Sequence, residues 1–244
     1  MTAAACETTM DSRCSVRVTQ LKQPKMESSP AKIYLARHCK TAWNLEGRLQ
    51  GTVDLPLAKI GLEEAKSNVA AVRNLGVNRV VCSTARRAYE TAQEYGNSLQ
   101  LPVYKTARLR ELDHGKWEGT KVSELLLDQS SGYAKWLSDP GCILIPGGSE
   151  TVEAAQRRAA EAIRHAAFAF RGESLLIIGH KHINALFTCA LLKEPLTSFG
   201  SYIVEDTPPY LLPADAVEAL CLSFRGGLDA ADSANSSISA GGNS

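Results

Sequence analysis

The sequence predicts an α/β fold, with a mostly parallel sheet and helices on both faces. Three observations carry this. Short apolar runs alternate with stretches of helical periodicity from about residue 31 to residue 225. One run, SLLII at 174–178, is almost wholly apolar, the pattern of a strand buried on both faces. The length, 244 residues, suits one domain with a sizeable core.

In chain order, KIYLAR (32–37) reads as the first strand. Residues 59–76 place Leu62, Ala65, Val69 and Val72 at helical spacing, and Gly76 marks the stop. RVVC (79–82) reads as a second strand, after which Ala88, Ala92, Tyr95 and Leu99 mark one face of a helix. Ser149 reads as the N-cap of a third helix, with Val152, Ala155, Ala159 and Ile163 inward. The strand at 174–178 leads into a helix over His182–Leu192. Tyr202–Val204 and Glu218–Ser223 read as late strands. Strand–helix–strand order implies a mostly parallel sheet with helices on both faces. Residues 116–148 break the rhythm and read as an insertion beside the site.

Outside residues 31–225 the sequence predicts two arms. Residues 1–30 lack apolar periodicity and read as a mobile arm, and the small polar residues of 226–244 as a disordered tail. Neither suggests chemistry.

Composition narrows the function. With 27 basic and 26 acidic residues the net charge is +1, which gives no global attraction to nucleic acid or membrane. Any anion site must be a local cluster. No apolar stretch reaches membrane-spanning length, and the N-terminus has no signal-peptide core. Glu7 and Asp11 weigh against a mitochondrial leader. Seven cysteines, without zinc or disulfide spacing, read as reduced thiols in a cytoplasmic protein, with Cys82, Cys189 and Cys221 in the core.

The chemistry gathers at strand ends. Arg37 and His38 close the first strand, and His180 closes SLLIIG. Ligands of open α/β sheets bind outside the carboxyl ends of the strands, so both histidines are expected at one crevice. The helix after His180 presents free N–H groups that favour an anion. Arg87 lies just past RVVC. Two arginines beside two histidines suit a phosphate dianion. A neutral imidazole attacks phosphorus, and a carboxylic acid protonates the leaving alkoxide. Glu111, in LRELDHGKWEG, is the candidate acid, since beside other negative charge a carboxyl keeps its proton near neutral pH. Asp113 and Glu118 are its rivals.

These segments resemble the histidine phosphatase superfamily, the phosphoglycerate-mutase-like proteins. LARHCKTAWNLEGRLQG is similar to its R-H-G-E-T-x-W-N signature, and the likeness continues through DLPLAKIG. CSTARRAYETA is similar to S-P-x-x-R-A-x-x-T-A, which aligns Arg87 rather than Arg86. LRELDHGKWEG, PGGSE and LLIIGHKHINALF complete five ordered blocks over about residues 32–192. The resemblance implies a three-layer α/β/α sandwich and catalysis without a metal or other cofactor. It implies His38 as the phosphorylated nucleophile, with Arg37, Arg87 and His180 holding the phosphoryl group. Asn44 also reaches the phosphate, Glu111 donates the proton, and Gln50, Gly51 and Lys181 complete the substrate-binding set. The acid block lacks the mutases' E-R-x-Y-G and is closer to the phosphatase form. That makes the expected activity hydrolysis of a small phosphorylated metabolite. A phosphoglycerate-type mutase, and a binder of phosphorylated ligands that has lost turnover, are the alternatives.

The chain departs from the pattern at four positions. Cys39 and Lys181 stand where glycine is common, Lys40 where an acidic or amide residue is usual, and Thr84 where proline is usual. Cys39 is expected to be oxidation-sensitive, because Arg37 nearby lowers a thiol's pKa. The two lysines either favour substrates with several negative charges or point to solvent.

Each residue also has a structural reading. His38 and His180 taken alone would be hydrogen-bonded structural residues, Arg87 a surface arginine, and Asn44 a cap for the turn after Trp43. His182 with Asp113 and His114 suggests a metal site, although no metal is assigned. Trp43, Trp117 and Trp136 fit either the pocket mouth or the core.

Overall fold

The computed structural model describes residues 29–205, 208–222 and 239–240. Strand β1 (Lys32–Arg37) is followed by the short helix α1 (Ala42–Leu45) and by α2 (Lys59–Asn74). Then come β2 (Arg79–Ser83), α3 (Arg86–Leu99) and β3 (Val103–Thr106). The insertion holds α4 (Val122–Leu127) and α5 (Tyr133–Ser138). The chain continues through α6 (Val152–Ala169), β4 (Ser174–Gly179), α7 (Lys181–Leu191), β5 (Tyr210–Leu211) and α8 (Ala214–Leu222). Ser239–Ala240 form β6. Most of the expected N-terminal arm and tail lies outside the described residues.

The sheet order is β5-β1-β4-β2-β3-β6. The four inner strands are parallel, and β5 and β6 pair antiparallel at the edges. Alternation along the strands divides the core in two. Ile33, Leu35, Val81, Leu175 and Ile177 pack with α6, α7 and α8 on one face. Ala36, Val80, Cys82, Leu176 and Ile178 pack with α2 and α3 on the other. This is the expected three-layer α/β/α sandwich.

Several local expectations are corrected. Thr151, not Ser149, caps α6, its hydroxyl accepting the Ala154 N–H at 3.2 Å. Ser149 instead binds the Asp113 carboxylate with both its N–H and its hydroxyl. Leu62 is 40% exposed, and the buried stripe of α2 is Gly61, Ala65 and Val72. Tyr202 ends a 3-10 helix over Leu196–Tyr202, so Tyr202–Val204 is no strand. Glu218–Ser223 is no strand either, because residues 218–222 belong to α8, which turns Val217 and Cys221 inward. The late edge strand is Tyr210–Leu211, whose Tyr210 lies opposite Leu35.

The insertion packs as an aromatic layer. Trp117, Tyr133, Trp136 and Phe199 gather around His114 and His182 with centroids 4.7–5.8 Å apart, Tyr133 stacked on Trp136 and the other pairs edge-on or tilted. Trp117 and Trp136 are therefore core residues. Trp43 is half-buried, near Gly119.

Candidate active site

Pairing β4 directly beside β1 sets Arg37 opposite Gly179, so the two strands end together with His38 and His180 as the next residues. Close packing locks this junction. Asn184, buried in the first turn of α7, donates to the Ala36 carbonyl at 2.9 Å. A Cβ at Gly179 would lie 2.2 Å from the Asn184 Oδ1, so only glycine fits there.

His38 is buried, and its Nδ1 lies 2.8 Å from the Cys39 carbonyl oxygen. A carbonyl only accepts, so this contact assigns the proton to Nδ1 and leaves a lone pair on Nε2. Arg87 Nε donates to that nitrogen at 3.1 Å. Burial, then Arg87 and Arg37, hold the imidazole well below its usual pKa, so the ring is neutral at neutral pH. His180 is fully buried, perpendicular-leaning to His38 with centroids 5.1 Å apart. Burial, with Arg87 and His38, keeps it neutral as well.

Arg87 sits in the first turn of α3 and is 1% exposed. It donates to the carbonyls of Val53 and Gly51, which aims the guanidinium at His38. Burial lowers its pKa to about 10, which leaves it charged at neutral pH. Gly51 holds its carbonyl there with φ +55°, and a Cβ would lie 2.0 Å from Glu118 Oε1. Arg86, by contrast, is exposed and pairs with Glu90. Of the two adjacent arginines, the structure brings Arg87 to the site.

Glu111 is buried, with its oxygens turned to the start of α7. Oε1 accepts the N–H groups of Ile183 and Leu112 at 2.9 and 3.0 Å, and Oε2 accepts that of His182 at 3.1 Å. The helix terminus expected to hold a substrate anion is thus capped by the protein's own carboxylate. The rivals are engaged elsewhere. Asp113 binds Gly115 and Ser149, and Glu118 binds Thr52 and the His114 N–H.

A cleft of about 200 Å³ opens here, lined among others by Arg37, His38, Asn44, Gln50, Gly51, Arg87, Glu111 and Lys181. His180 is not among its lining residues and lies against His38 instead. Asn44 lines the cleft but also caps α1, its Oδ1 accepting the Thr41 N–H and hydroxyl at 3.0 Å. Asn44 is thus a helix cap that also faces the cleft. Arg37 lines the cleft with one guanidinium nitrogen spent on Glu205.

Glu111, His114 and His182 offer ligand atoms within 4.8 Å of one another. His114 Nε2 and His182 Nδ1 share a hydrogen bond at 2.8 Å. Burial and His182 push His114 down to about 3. These three, not Asp113, are the residues that offer metal-ligand geometry.

The expectation for Cys39 is corrected. The residue is 4% exposed, its sulfur faces the Tyr95 hydroxyl at 3.8 Å, and burial, then Glu64, pushes the thiol up to about 11. It is a protonated core residue, not a reactive one. Its φ is not in the left-handed region, so it replaces glycine without backbone strain there. Lys40 is not among the cleft-lining residues, whereas Lys181 is.

Three further residues position the site. Thr91 accepts the Cys39 N–H at 3.0 Å and donates to the Arg87 carbonyl at 2.8 Å. Arg158 donates to the carbonyls of Arg108, Arg110 and Glu111, and pairs with Glu150. Glu205 bridges Arg37 and Lys181. Thr91 occupies a threonine of the ETA segment, a signal that was available; Arg158 and Glu205 carry none.

This chain belongs to the histidine phosphatase superfamily (branch 1), which it matches over residues 33–212. It is 28% identical over 171 residues to phosphoserine phosphatase 1 of Hydrogenobacter thermophilus, covering 70% of this chain and 81% of the relative. It is 30% identical over 161 residues to the metal-independent phosphoserine phosphatase of Arabidopsis thaliana, covering 64% and 66%. Among solved structures, Bacillus stearothermophilus YhfR superposes with a TM-score of 0.64 at 30% identity, covering 74% of this chain and 86% of that one.

Proposed function

We propose that the protein is a metal-independent phosphoric monoester hydrolase that acts on a small phosphorylated metabolite through a phosphohistidine at His38. The observation that carries this reading is the neutral imidazole in the cleft, with Nδ1 tied to a carbonyl and Nε2 presented beside Arg87. Arg37 and Arg87 hold the equatorial oxygens, with His180 and Asn44 beside them and Gln50, Gly51 and Lys181 shaping the rest of the site. Nε2 attacks phosphorus as the P–O bond to the leaving group breaks. The departing alkoxide takes a proton, and Glu111, the carboxyl that lines the cleft, is its proposed donor. Water then attacks the phosphohistidine and gives its proton to Glu111, and inorganic phosphate leaves with His38 restored.

The phosphatase form of the acid block and the phosphatase relatives favour hydrolysis over phosphoryl return to product. The five described cysteines are free thiols, which supports a cytoplasmic setting. No described helix is long and apolar enough to cross a membrane. The net charge of +1 supports a small-molecule partner rather than nucleic acid. The test is a panel of phosphate monoesters with and without EDTA, using wild type and His38→Ala. Acid-labile protein-bound phosphate on wild type but not on the variant, with turnover unaffected by chelation, supports the reading. Turnover that survives His38→Ala, or that the chelator abolishes, overturns it.

A further inference from the structure

We propose that Lys181, with Glu205 as its resident partner, forms a second anion subsite that selects phosphate monoesters carrying a carboxylate close to the phosphate. This rests on the phosphatase reading above and specifies its substrate class. Arg37, Lys181 and Glu205 line the same cleft as His38. Glu205 spans the two cations: one carboxylate oxygen accepts from Arg37 Nη1 at 2.9 Å, and the other accepts from Lys181 Nζ. The lysine and arginine side chains are 20% and 16% exposed, whereas that of Glu205 is 62% exposed. Arg37 Nε is buried without a hydrogen-bond partner among the described residues. The cations are built into the wall, and the carboxylate reaches them from the solvent side.

Charge makes this pairing conditional. A phosphate dianion on Arg37 and Arg87 comes close to the Glu205 carboxylate, and the like charges repel. Glu205, the exposed member, yields its place. Lys181 is then left beside the bound phosphate without its partner, unless the substrate supplies an anion of its own. The protein's own side chain shows what fits: a single carboxylate within reach of both Arg37 and Lys181. A monoester without that group leaves Lys181 unpaired, and this penalty discriminates between substrates.

The test compares 2-phosphoglycolate with ethyl phosphate, two small esters that differ by the carboxylate. The full-length wild type is expected to favour phosphoglycolate in kcat/KM by about tenfold, mainly through KM. Lys181→Gln collapses that ratio towards one. Glu205→Gln removes the internal competitor and tightens inhibition by inorganic phosphate about fivefold. A wild-type ratio near one, a ratio that survives Lys181→Gln, or unchanged phosphate inhibition in Glu205→Gln overturns the proposal. If neither ester is hydrolysed, the panel of monoesters with His38→Ala judges the phosphatase reading separately, and calorimetric titration with the same two esters still reads the subsite. Tighter phosphoglycolate binding that Lys181→Gln erases upholds it, and equal binding of the two esters overturns it.

Discussion

Acidification from pH 7.5 to 5.0 removes stability through the buried histidines, and His114 allows the effect to be sized. The ring is completely buried, and burial followed by His182 holds it at about 3, against 6.5 for the free side chain. The folded pKa is depressed. Above about pH 6.5 neither state binds the proton. Between 6.5 and 3 the unfolded chain binds a proton that the folded one excludes, so stability falls with pH. At pH 5.0 the two pKa values translate into about 2 kcal/mol lost from this one group. His38, His180 and His182 are shifted in the same direction and add to the loss. Urea unfolding of wild type and His114→Gln at both pH values checks the number. The amide keeps a polar neighbour for His182 and does not titrate. Wild type should lose about 2 kcal/mol more than the variant on acidification. Equal losses in the two proteins would refute a buried, neutral His114.

The other expectations concern the supports of the site. Arg158→Met frees three backbone carbonyls around Glu111. It should lower kcat roughly 10- to 100-fold with little change in KM, and an unchanged kcat on the most active ester argues against positioning through this loop. Thr91→Val strands the Cys39 N–H and should cost about 1–3 kcal/mol in urea unfolding at pH 7.5. A loss below a few tenths would show that this bond is dispensable. In iodoacetamide mapping of the folded protein, exposed Cys142 should be alkylated while Cys39, 4% exposed, stays unmodified. Equal labelling of the two would show the Cys39 pocket to be open.

The fold was largely legible because its central strands carry an unambiguous pattern. The runs KIYLAR, RVVC and SLLII have no polar face long enough for an amphipathic helix. Legibility failed where an apolar run is short. In Glu218–Ser223, alternation and helical spacing coincide over a few residues, and packing of Val217 and Cys221 against the core decides for the helix. Ser149 and Thr151 are both good caps, and Asp113 claims the serine. In the site, the strand ends and the paired histidines could be read, and Arg87 was separable from Arg86 by its block. The Glu205 bridge and the carbonyl bonds of Arg158 join residues far apart in sequence, and no local pattern records such partnerships. The Cys39 expectation failed because proximity to Arg37 in sequence says nothing of direction: the backbone turns the thiol into the α2–α3 layer.

The strand order has a consequence for biosynthesis. β4 lies between β1 and β2, yet it is made after both. A chain still emerging from the ribosome holds Arg37, His38, Arg87 and Glu111 long before the keystone strand that seats them. The N–H groups that grip Glu111 arrive later still, with the start of α7. Until translation passes that helix, the first half of the sheet has an open seam along β1 and β2. A growing chain therefore carries an open edge until late in its synthesis, and its site is complete only in the last quarter.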